Sequence, residues 1–219
     1  MLKGKGVSTG IGFGKIVVLK NDERKIEKQI VKNPELEMQK FQEAFEQVTK
    51  ETEEMIKTLS GTELEIMEAY LMIMQDSSLT AETENAIKTL NYNAEYATEI
   101  GFNSVIQIFE GLDDEYMASR SRDIADIKNR IIAKILKEET INLSKLEENT
   151  IIVAKELTTS DTAKLDFKNV SGIIVEVGGA NSHSAIMART HAIPSVTRIE
   201  EATKIFRNGD YIAIDGMLG

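Results

Sequence analysis

A short β-branched run at residues 15–19, Lys-Ile-Val-Val-Leu, is separated from the other strand-like segments by a long helical region. A lone strand cannot form a stable sheet, so this run must pair with the strand-like segments that begin near residue 149. We therefore predict a discontinuous α/β domain made of residues 1–24 and 146–219. The helical region between them, residues 25–145, is predicted to be an inserted helical bundle.

Amphipathic periodicity defines this inserted region. After Pro34, apolar side chains recur at steps of three and four residues, which is the stripe of an amphipathic helix. Gly61 interrupts the stripe, and Thr62 and Glu65 have the spacing of a capping box that begins a second helix. The pattern is typical of antiparallel helical hairpins. The remaining predicted helices cover residues 79–91, 93–110 and 114–138.

Near residue 149 the pattern changes, and short β-branched runs alternate with short helical stretches. This alternation predicts an α/β layer. The glycine-rich residues 4–14 are predicted to form a turn that leads into the strand at 15–19. The other strands are predicted at 149–154, 172–177 and 211–215, and the helices at 161–166, 183–191 and 199–206.

Composition indicates an ordinary globular protein. The chain has 219 residues, with 26 Lys and Arg, 36 Asp and Glu, a net charge of −10 and no cysteine. The lack of cysteine excludes disulfides, thiolate metal sites and a cysteine nucleophile, and the acidic balance argues against nucleic-acid binding. No apolar run could span a bilayer, and the first residues lack the apolar stretch of a secretory signal. We therefore predict a cytoplasmic protein without membrane insertion.

Residues 178–189 carry the clearest indication of chemistry. An apolar strand ends in a Gly-Gly pair, polar capping residues follow, and an Ala/Ile/Met-rich helix begins. Asn181 or Ser182 can cap this helix, which places His183 in the first turn, where unpaired N–H groups and the helix dipole favour an anion. Imidazole is a competent nucleophile near neutral pH. The pattern predicts a nucleophilic or phosphate-facing histidine, with a capping or other structural role for His183 as the alternative.

Four stretches together resemble the enzyme I family of the bacterial sugar phosphotransferase system. Residues 178–189, followed by Ile-Pro-Ser-Val at 193–196, closely resemble the phosphohistidine signature of phosphoenolpyruvate-using enzymes. Pyruvate phosphate dikinase and phosphoenolpyruvate synthase share a related version of this signature. The stretches similar to enzyme I in particular are residues 6–15, residues 157–163, and the start of a bundle helix at 113–116 with Arg120, Asp123, Asp126 and Arg130.

This resemblance implies a phosphoryl relay. In the family, phosphoenolpyruvate phosphorylates a histidine at Nε2, and the group then passes to a histidine of the small carrier protein HPr. His183 occupies the acceptor position, and Thr162 matches the threonine whose hydroxyl binds the other ring nitrogen. The candidate residues next to the phosphate are Gly178, Gly179, Ser182, Ser184 and Arg189. Ser182 and Ser184 could equally cap the helix, and Arg189, six residues beyond His183, faces elsewhere on an ideal helix.

The resemblance also implies an HPr-binding surface on the first hairpin of the inserted helices. An acidic, Met-rich face suits a carrier that presents arginine and apolar side chains. Bundle core is the alternative role for most of the Met and Leu positions, since only exposed side chains can contact HPr. The candidate contact residues are Glu63, Tyr70, Leu71, Met74, Asp76, Leu79 and Arg120.

Several positions depart from the family pattern. Ala180 stands where the family usually has Arg, Thr159 where it has Pro, and Arg198 where it commonly has Gly. Because a positive φ costs Arg more than Gly, the turn at Arg198 is expected to differ from the family turn. We hypothesise that Arg198 replaces the arginine absent at Ala180. His191, near the end of the histidine-bearing helix, is assigned a structural role.

No cofactor or metal site is predicted in this chain. In the family, a C-terminal barrel binds phosphoenolpyruvate and Mg²⁺ and forms the homodimer. The chain is therefore expected to be a fragment that exchanges a phosphoryl group with HPr and does not use phosphoenolpyruvate unaided. The alternatives are a swivelling phosphohistidine domain of a dikinase or synthase, and a non-catalytic HPr-binding module.

Overall fold

The chain forms two compact units, residues 1–23 with 140–219 and residues 24–139. The computed structural model describes residues 2–19, 24–113, 115–138 and 141–219, so Asp114 of the predicted bundle-helix motif lies outside the described residues. The second division precedes the predicted boundary at residue 146. Leu143, in a short 3₁₀ turn, accounts for this difference because it packs into the core of the sheet-containing unit.

The unit of residues 24–139 is helical. Its first helix begins at Pro34, as predicted, where the side chain of Asn33 caps it by accepting a hydrogen bond from the Leu36 N–H. The predicted apolar stripe faces inward, with Phe41 and Val48 buried in the core. The described residues of this unit form α1 (Pro34–Ile56), α2 (Gly61–Gln75), α3 (Ser78–Leu90), α4 (Ala94–Glu110) and α5 (Glu115–Ile135).

The other unit contains a mixed sheet. Its described strands are β1 (Lys5–Ser8), β2 (Ile11–Leu19), β3 (Thr150–Ala154), β4 (Val170–Val175), β5 (Ser195–Thr197) and β6 (Tyr211–Asp215). They lie in the order β1-β5-β4-β3-β2-β6, with the four inner strands parallel and the edge strands β1 and β6 antiparallel to their neighbours. Because β2 pairs with β3, the run at residues 15–19 joins the strands that follow the helical insertion, as predicted.

The glycine-rich N-terminal residues form strands instead of the predicted turn. Gly12 and Gly14 lie within β2, and a Cβ at either position would collide with a backbone carbonyl, of Ser171 and Asn149 respectively. Close approach of neighbouring backbone therefore requires glycine at both positions. The sequence pattern predicts neither β1 nor β5, since β1 lies within the glycine run and β5 has only three residues.

Helices cover both faces of the sheet. These are α6 (Thr159–Lys164), α7 (His183–Thr190) and α8 (Ala202–Ile205). On one face Ile152 and Ile173 pack with Ala188 of α7, and on the other Ile151 and Ile174 pack with Ala202 of α8. The inner strands are buried on both sides, which is why they are continuously apolar in sequence. Among the described residues, no helix is long and apolar enough to cross a membrane.

A polar network is buried inside the helical unit. The Tyr70 hydroxyl donates to the Asp126 carboxylate at 3.0 Å, and the Arg130 guanidinium donates to the Thr52 hydroxyl at 2.9 Å and to the Tyr70 oxygen at 3.4 Å. All four side chains are buried. This Tyr70–Asp126–Arg130 network therefore replaces apolar contacts at the centre of the bundle with hydrogen bonds and paired charges.

The network predicts a loss of stability in alkaline solution. Burial, followed by the nearby Asp126 carboxylate, raises the pKa of Tyr70 well above the ordinary value of 10.0. Above about pH 10 the unfolded chain releases this proton while the folded chain retains it, so stability is complete below that pH and falls as pH rises. Urea unfolding from about pH 9 to about pH 11 should show this decline, at up to about 1.4 kcal/mol per pH unit.

The Tyr70→Phe variant is the matched comparison. Phenylalanine keeps the ring and removes the titrating hydroxyl, so this variant should be less stable at neutral pH but less sensitive to alkaline pH. Equal alkaline slopes in the wild type and in Tyr70→Phe would assign the decline to other groups.

Candidate active site

His183 is the first residue of α7. The chain leaves β4, passes through a loop and enters this helix at its N-cap, Ser182, whose hydroxyl accepts a hydrogen bond from the Ala185 N–H at 3.3 Å. Of the two predicted capping residues, Ser182 and not Asn181 is thus the cap. The imidazole is half-buried in the first helical turn, where unpaired N–H groups and the helix dipole favour a negatively charged ligand.

Backbone hydrogen bonds shape the loop before His183. Gly178 has φ 147°, a backbone conformation that residues other than glycine rarely adopt. Its carbonyl accepts a hydrogen bond from the Thr197 hydroxyl at 3.0 Å. The Gly179 carbonyl accepts from both the N–H and the hydroxyl of Ser182, at 3.1 and 2.9 Å. Apart from its two chain neighbours, no residue in the described part of the chain comes within 4 Å of the position that a Gly179 Cβ would take, so this side of the glycine is open. Thr197, which tethers the loop to β5, carries no recognisable signal in the sequence pattern.

The ring nitrogen Nδ1 of His183 is held by a different threonine from the one predicted. The Thr159 hydroxyl oxygen lies 2.6 Å from Nδ1. The Thr162 hydroxyl instead donates to the Thr159 carbonyl at 2.8 Å. Helical geometry explains the difference, because Thr162 lies three residues further along α6 and its hydroxyl closes the first turn of that helix.

Sequence reasoning noticed Thr159 only as a departure from the family proline. The available signal was chemical: a threonine at that position adds a hydroxyl next to the histidine, which proline cannot supply.

Two of the predicted phosphate neighbours are engaged elsewhere. Ser184 is buried, and its hydroxyl lies 3.1 Å from that of Ser182. Arg189 lies six residues beyond His183, about 9 Å along the helix axis, and donates to the Val7 carbonyl of β1 at 3.3 Å. Ser184 is therefore part of the helix start, and Arg189 contacts the edge strand at the opposite end of α7.

His191 ends α7 and stacks on an aromatic ring. Its imidazole lies 4.1 Å from the Phe167 ring centroid, with an angle of 9° between the two planes. This arrangement agrees with the structural role assigned to it.

The predicted HPr-binding residues divide by burial. Tyr70, Met74 and Leu79 are all 3% exposed or less, because they form part of the bundle core, so predicting them as contact residues was wrong. Asp76 is exposed, while Glu63, Leu71 and Arg120 are half-buried, with Arg120 paired to Asp123 at 3.0 Å. Met72, which was not among the predicted contact residues, is 71% exposed on α2. Its position one residue beyond Leu71 turns it away from the buried stripe.

Two family models match nearly the whole chain. Residues 3–120 match the N-terminal domain of PEP-utilising enzymes, and residues 146–219 match the mobile domain of the same enzymes. The chain therefore belongs to the PEP-utilising enzyme family. Within that family it corresponds to the N-terminal domain of enzyme I.

Curated relatives and solved structures agree with this assignment. The chain is 36% identical to the phosphoenolpyruvate-protein phosphotransferase of Bacillus subtilis (strain 168) and 32% identical to that of Haemophilus influenzae, over 100% and 99% of its length. It spans 39% of each of these relatives. An NMR solution structure of enzyme I (nEIt) superimposes with a TM-score of 0.84 at 36% identity, covering 100% of this chain and 91% of that one.

A second solved structure shares the fold. The N-terminal domain of "Enzyme 1 - Nitrogen" superimposes with a TM-score of 0.67 at 21% identity, covering 100% of this chain and 92% of that one. The predicted family and the predicted fold class, α/β with an inserted helical bundle, are confirmed.

Proposed function

We propose that this chain relays a phosphoryl group between His183 and the histidine of the carrier protein HPr, in a cytoplasmic phosphotransferase system that drives sugar uptake. The observation that carries the proposal is the placement of His183 as the first residue of α7 with Nδ1 held by a buried hydroxyl. In this proposal the phosphoryl group is carried on Nε2, the other ring nitrogen. The family membership and the similarity to phosphoenolpyruvate-protein phosphotransferases support it.

The transfer is a single exchange of P–N bonds. The Nε2 lone pair of His183 forms a bond to phosphorus as the P–N bond in phospho-HPr breaks, and the electrons of the broken bond return to the HPr imidazole. The N-terminus of α7 lowers the free energy of the negative phosphoryl oxygens in both directions. Because one phosphohistidine replaces another, the exchange is reversible.

The accessible part of α2 supplies the proposed HPr surface. Asp76 and Met72 are exposed, and Leu71 and Glu63 are half-buried. A carrier that presents arginine and apolar side chains could pair its charge with Asp76 and pack against Met72. Arg120, at the start of α5, stays a candidate contact.

The binding of phosphoenolpyruvate and Mg²⁺ is not part of the function proposed for this chain. We assign both, together with homodimer formation, to the part of the full-length relatives that this chain does not span. In this proposal the chain alone exchanges its phosphoryl group with HPr and does not consume phosphoenolpyruvate.

Intact-mass spectrometry tests the relay directly. The chain is mixed with HPr, phosphoenolpyruvate and a catalytic trace of intact enzyme I, and then compared with a mixture that lacks HPr. We expect one acid-labile phosphoryl group per chain, formed only when HPr is present. Binding of HPr without uptake would favour a non-catalytic HPr-binding module. Neither binding nor uptake would favour a dikinase- or synthase-type swivelling domain, and uptake from phosphoenolpyruvate alone would contradict the assigned division of labour.

Two substitutions of Arg198 should affect the stability of the chain differently while both slow phosphoryl transfer. Arg198 has φ 63°, in the left-handed region that glycine adopts at lower cost than arginine. Removing the Cβ in Arg198→Gly should stabilise the chain by about 0.5–1 kcal/mol in urea unfolding, whereas Arg198→Ala keeps the Cβ and should not. Both variants remove the guanidinium proposed to replace the missing arginine, so both should slow transfer from phospho-HPr. Unchanged transfer rates would overturn that role for Arg198.

A further inference from the structure

We propose that Thr159 is the positioning residue for His183 and holds it in the Nδ1–H tautomer, a role that the family resemblance gives to Thr162. The effect on the transfer rate rests on the proposed function, whereas the effect on the tautomer does not. The hydroxyl oxygen of Thr159 lies 2.6 Å from Nδ1, and Thr159 is 5% exposed. A buried hydroxyl at this distance makes a short hydrogen bond that water does not displace.

Thr162 makes its hydrogen bonds to the backbone of α6. Its hydroxyl donates to the Thr159 carbonyl at 2.8 Å, and its N–H donates to the Thr158 carbonyl at 3.1 Å. Both interactions support the first turn of α6, which carries Thr159. Thr162 therefore stabilises the backbone of the helical turn from which the Thr159 side chain reaches the His183 ring.

A capping box fixes the direction of the Thr159 side chain. Thr158 is the N-cap of α6: its hydroxyl accepts from the Asp161 N–H at 3.1 Å, and its own N–H donates to the Asp161 carboxylate at 3.2 Å. Thr159 follows as the first helical residue, and its β-branched side chain has few rotamers available. The hydroxyl is therefore in position before any phosphoryl donor arrives.

The tautomer matters because Nε2 can attack phosphorus only when it carries a lone pair. In a neutral ring this requires the proton on Nδ1, which then donates to the Thr159 oxygen. As the P–Nε2 bond forms, that proton stays on Nδ1 and the ring gains positive charge. The hydrogen bond to Thr159 becomes charge-assisted and therefore stronger in the phosphorylated product.

The backbone conformation at position 159 also suits proline, which has no hydroxyl. It is the first residue of α6, and Thr158 before it has φ −75° and ψ 168°. Proline is favoured at the first helical position, and the residue before proline prefers this extended conformation. Thr159→Pro should therefore fold normally while lacking the hydroxyl.

The experiment compares four variants with the wild type: Thr159→Val, Thr159→Pro, Thr159→Ser and, as the matched control, Thr162→Val. The first readout is the ¹⁵N chemical shifts of the His183 ring, which report the tautomer without any phosphoryl transfer. The second is the rate of HPr-dependent phosphorylation. We expect Thr159→Val and Thr159→Pro to shift the ring toward the Nε2–H tautomer and to slow transfer by at least about ten-fold. Thr159→Ser should restore both readouts, and Thr162→Val should keep the wild-type tautomer.

Each other outcome has a distinct meaning. Wild-type ring shifts in both Thr159→Val and Thr159→Pro would overturn the proposal, as would a tautomer change in Thr162→Val without one in Thr159→Val. If the wild type takes up no phosphoryl group but Thr159→Val still shifts the tautomer, the relay function fails while the positioning role stands.

Discussion

Replacing His183 with alanine should abolish HPr-dependent phosphorylation of this chain. The imidazole supplies the Nε2 lone pair that forms the bond to phosphorus, and the Ser182, Ser184 and Thr159 hydroxyls near it are poor nucleophiles without an adjacent general base. Intact-mass spectrometry in the HPr mixture should therefore show no phosphoryl group on His183→Ala.

His191→Ala is the matched control for this prediction. It removes the other histidine of the chain, which stacks on Phe167 and has no proposed chemical role. This variant should take up one acid-labile phosphoryl group, like the wild type. Uptake on His183→Ala, or its loss on His191→Ala in a folded chain, would place the acceptor elsewhere.

Replacing Arg130 with methionine should destabilise the helical unit by about 3–5 kcal/mol. The guanidinium is buried and donates to the Thr52 hydroxyl and to the Val48 carbonyl. Without it, the Asp126 carboxylate stays in the core with its positive neighbour removed, and the Thr52 hydroxyl loses a partner. Urea unfolding followed by circular dichroism should report the loss as a lower midpoint.

Two further variants separate the buried charge from ordinary surface pairing. Lys134 pairs with Glu51 in a partly exposed position, so Lys134→Met should cost about 1 kcal/mol or less. Combining Asp126→Asn with Arg130→Met should cost less than the sum of the single changes, because the double variant removes the Asp126 charge together with the guanidinium that attracts it. A loss for Arg130→Met as small as that for Lys134→Met would show that water or a neighbouring group compensates the Asp126 carboxylate.

The structure corrects the predicted roles of Tyr70 and Arg189. Tyr70 was predicted to contact HPr, yet its hydroxyl serves Asp126 inside the bundle. Arg189 was predicted to lie near the phosphate, yet it contacts β1 at the far end of α7. The side chain of Tyr70 faces the bundle core, which depends on where the neighbouring helices pack. The separation of six residues along α7 places Arg189 away from His183.

The sequence by itself determined the layers of the fold and the position of the histidine. Hydrophobic period and β-branching act over a few residues, so they mark the long helices, the apolar runs of β2, β3, β4 and β6, and the start of α7 at His183 without reference to distant contacts. The isolated run at residues 15–19 also required pairing across the helical insertion, because a single strand leaves its backbone groups unpaired.

Only the tertiary structure decided which threonine holds His183, which side chains of α2 reach the surface, and that residues 5–8 and 11–14 belong to strands. Thr159 and His183 are 24 residues apart, and their hydrogen bond depends on how α6 and α7 pack on the sheet. The glycines of β2 are required by the carbonyls of Ser171 and Asn149, which come close only after folding. Each of these features depends on contacts between distant segments, which short-range sequence patterns do not contain.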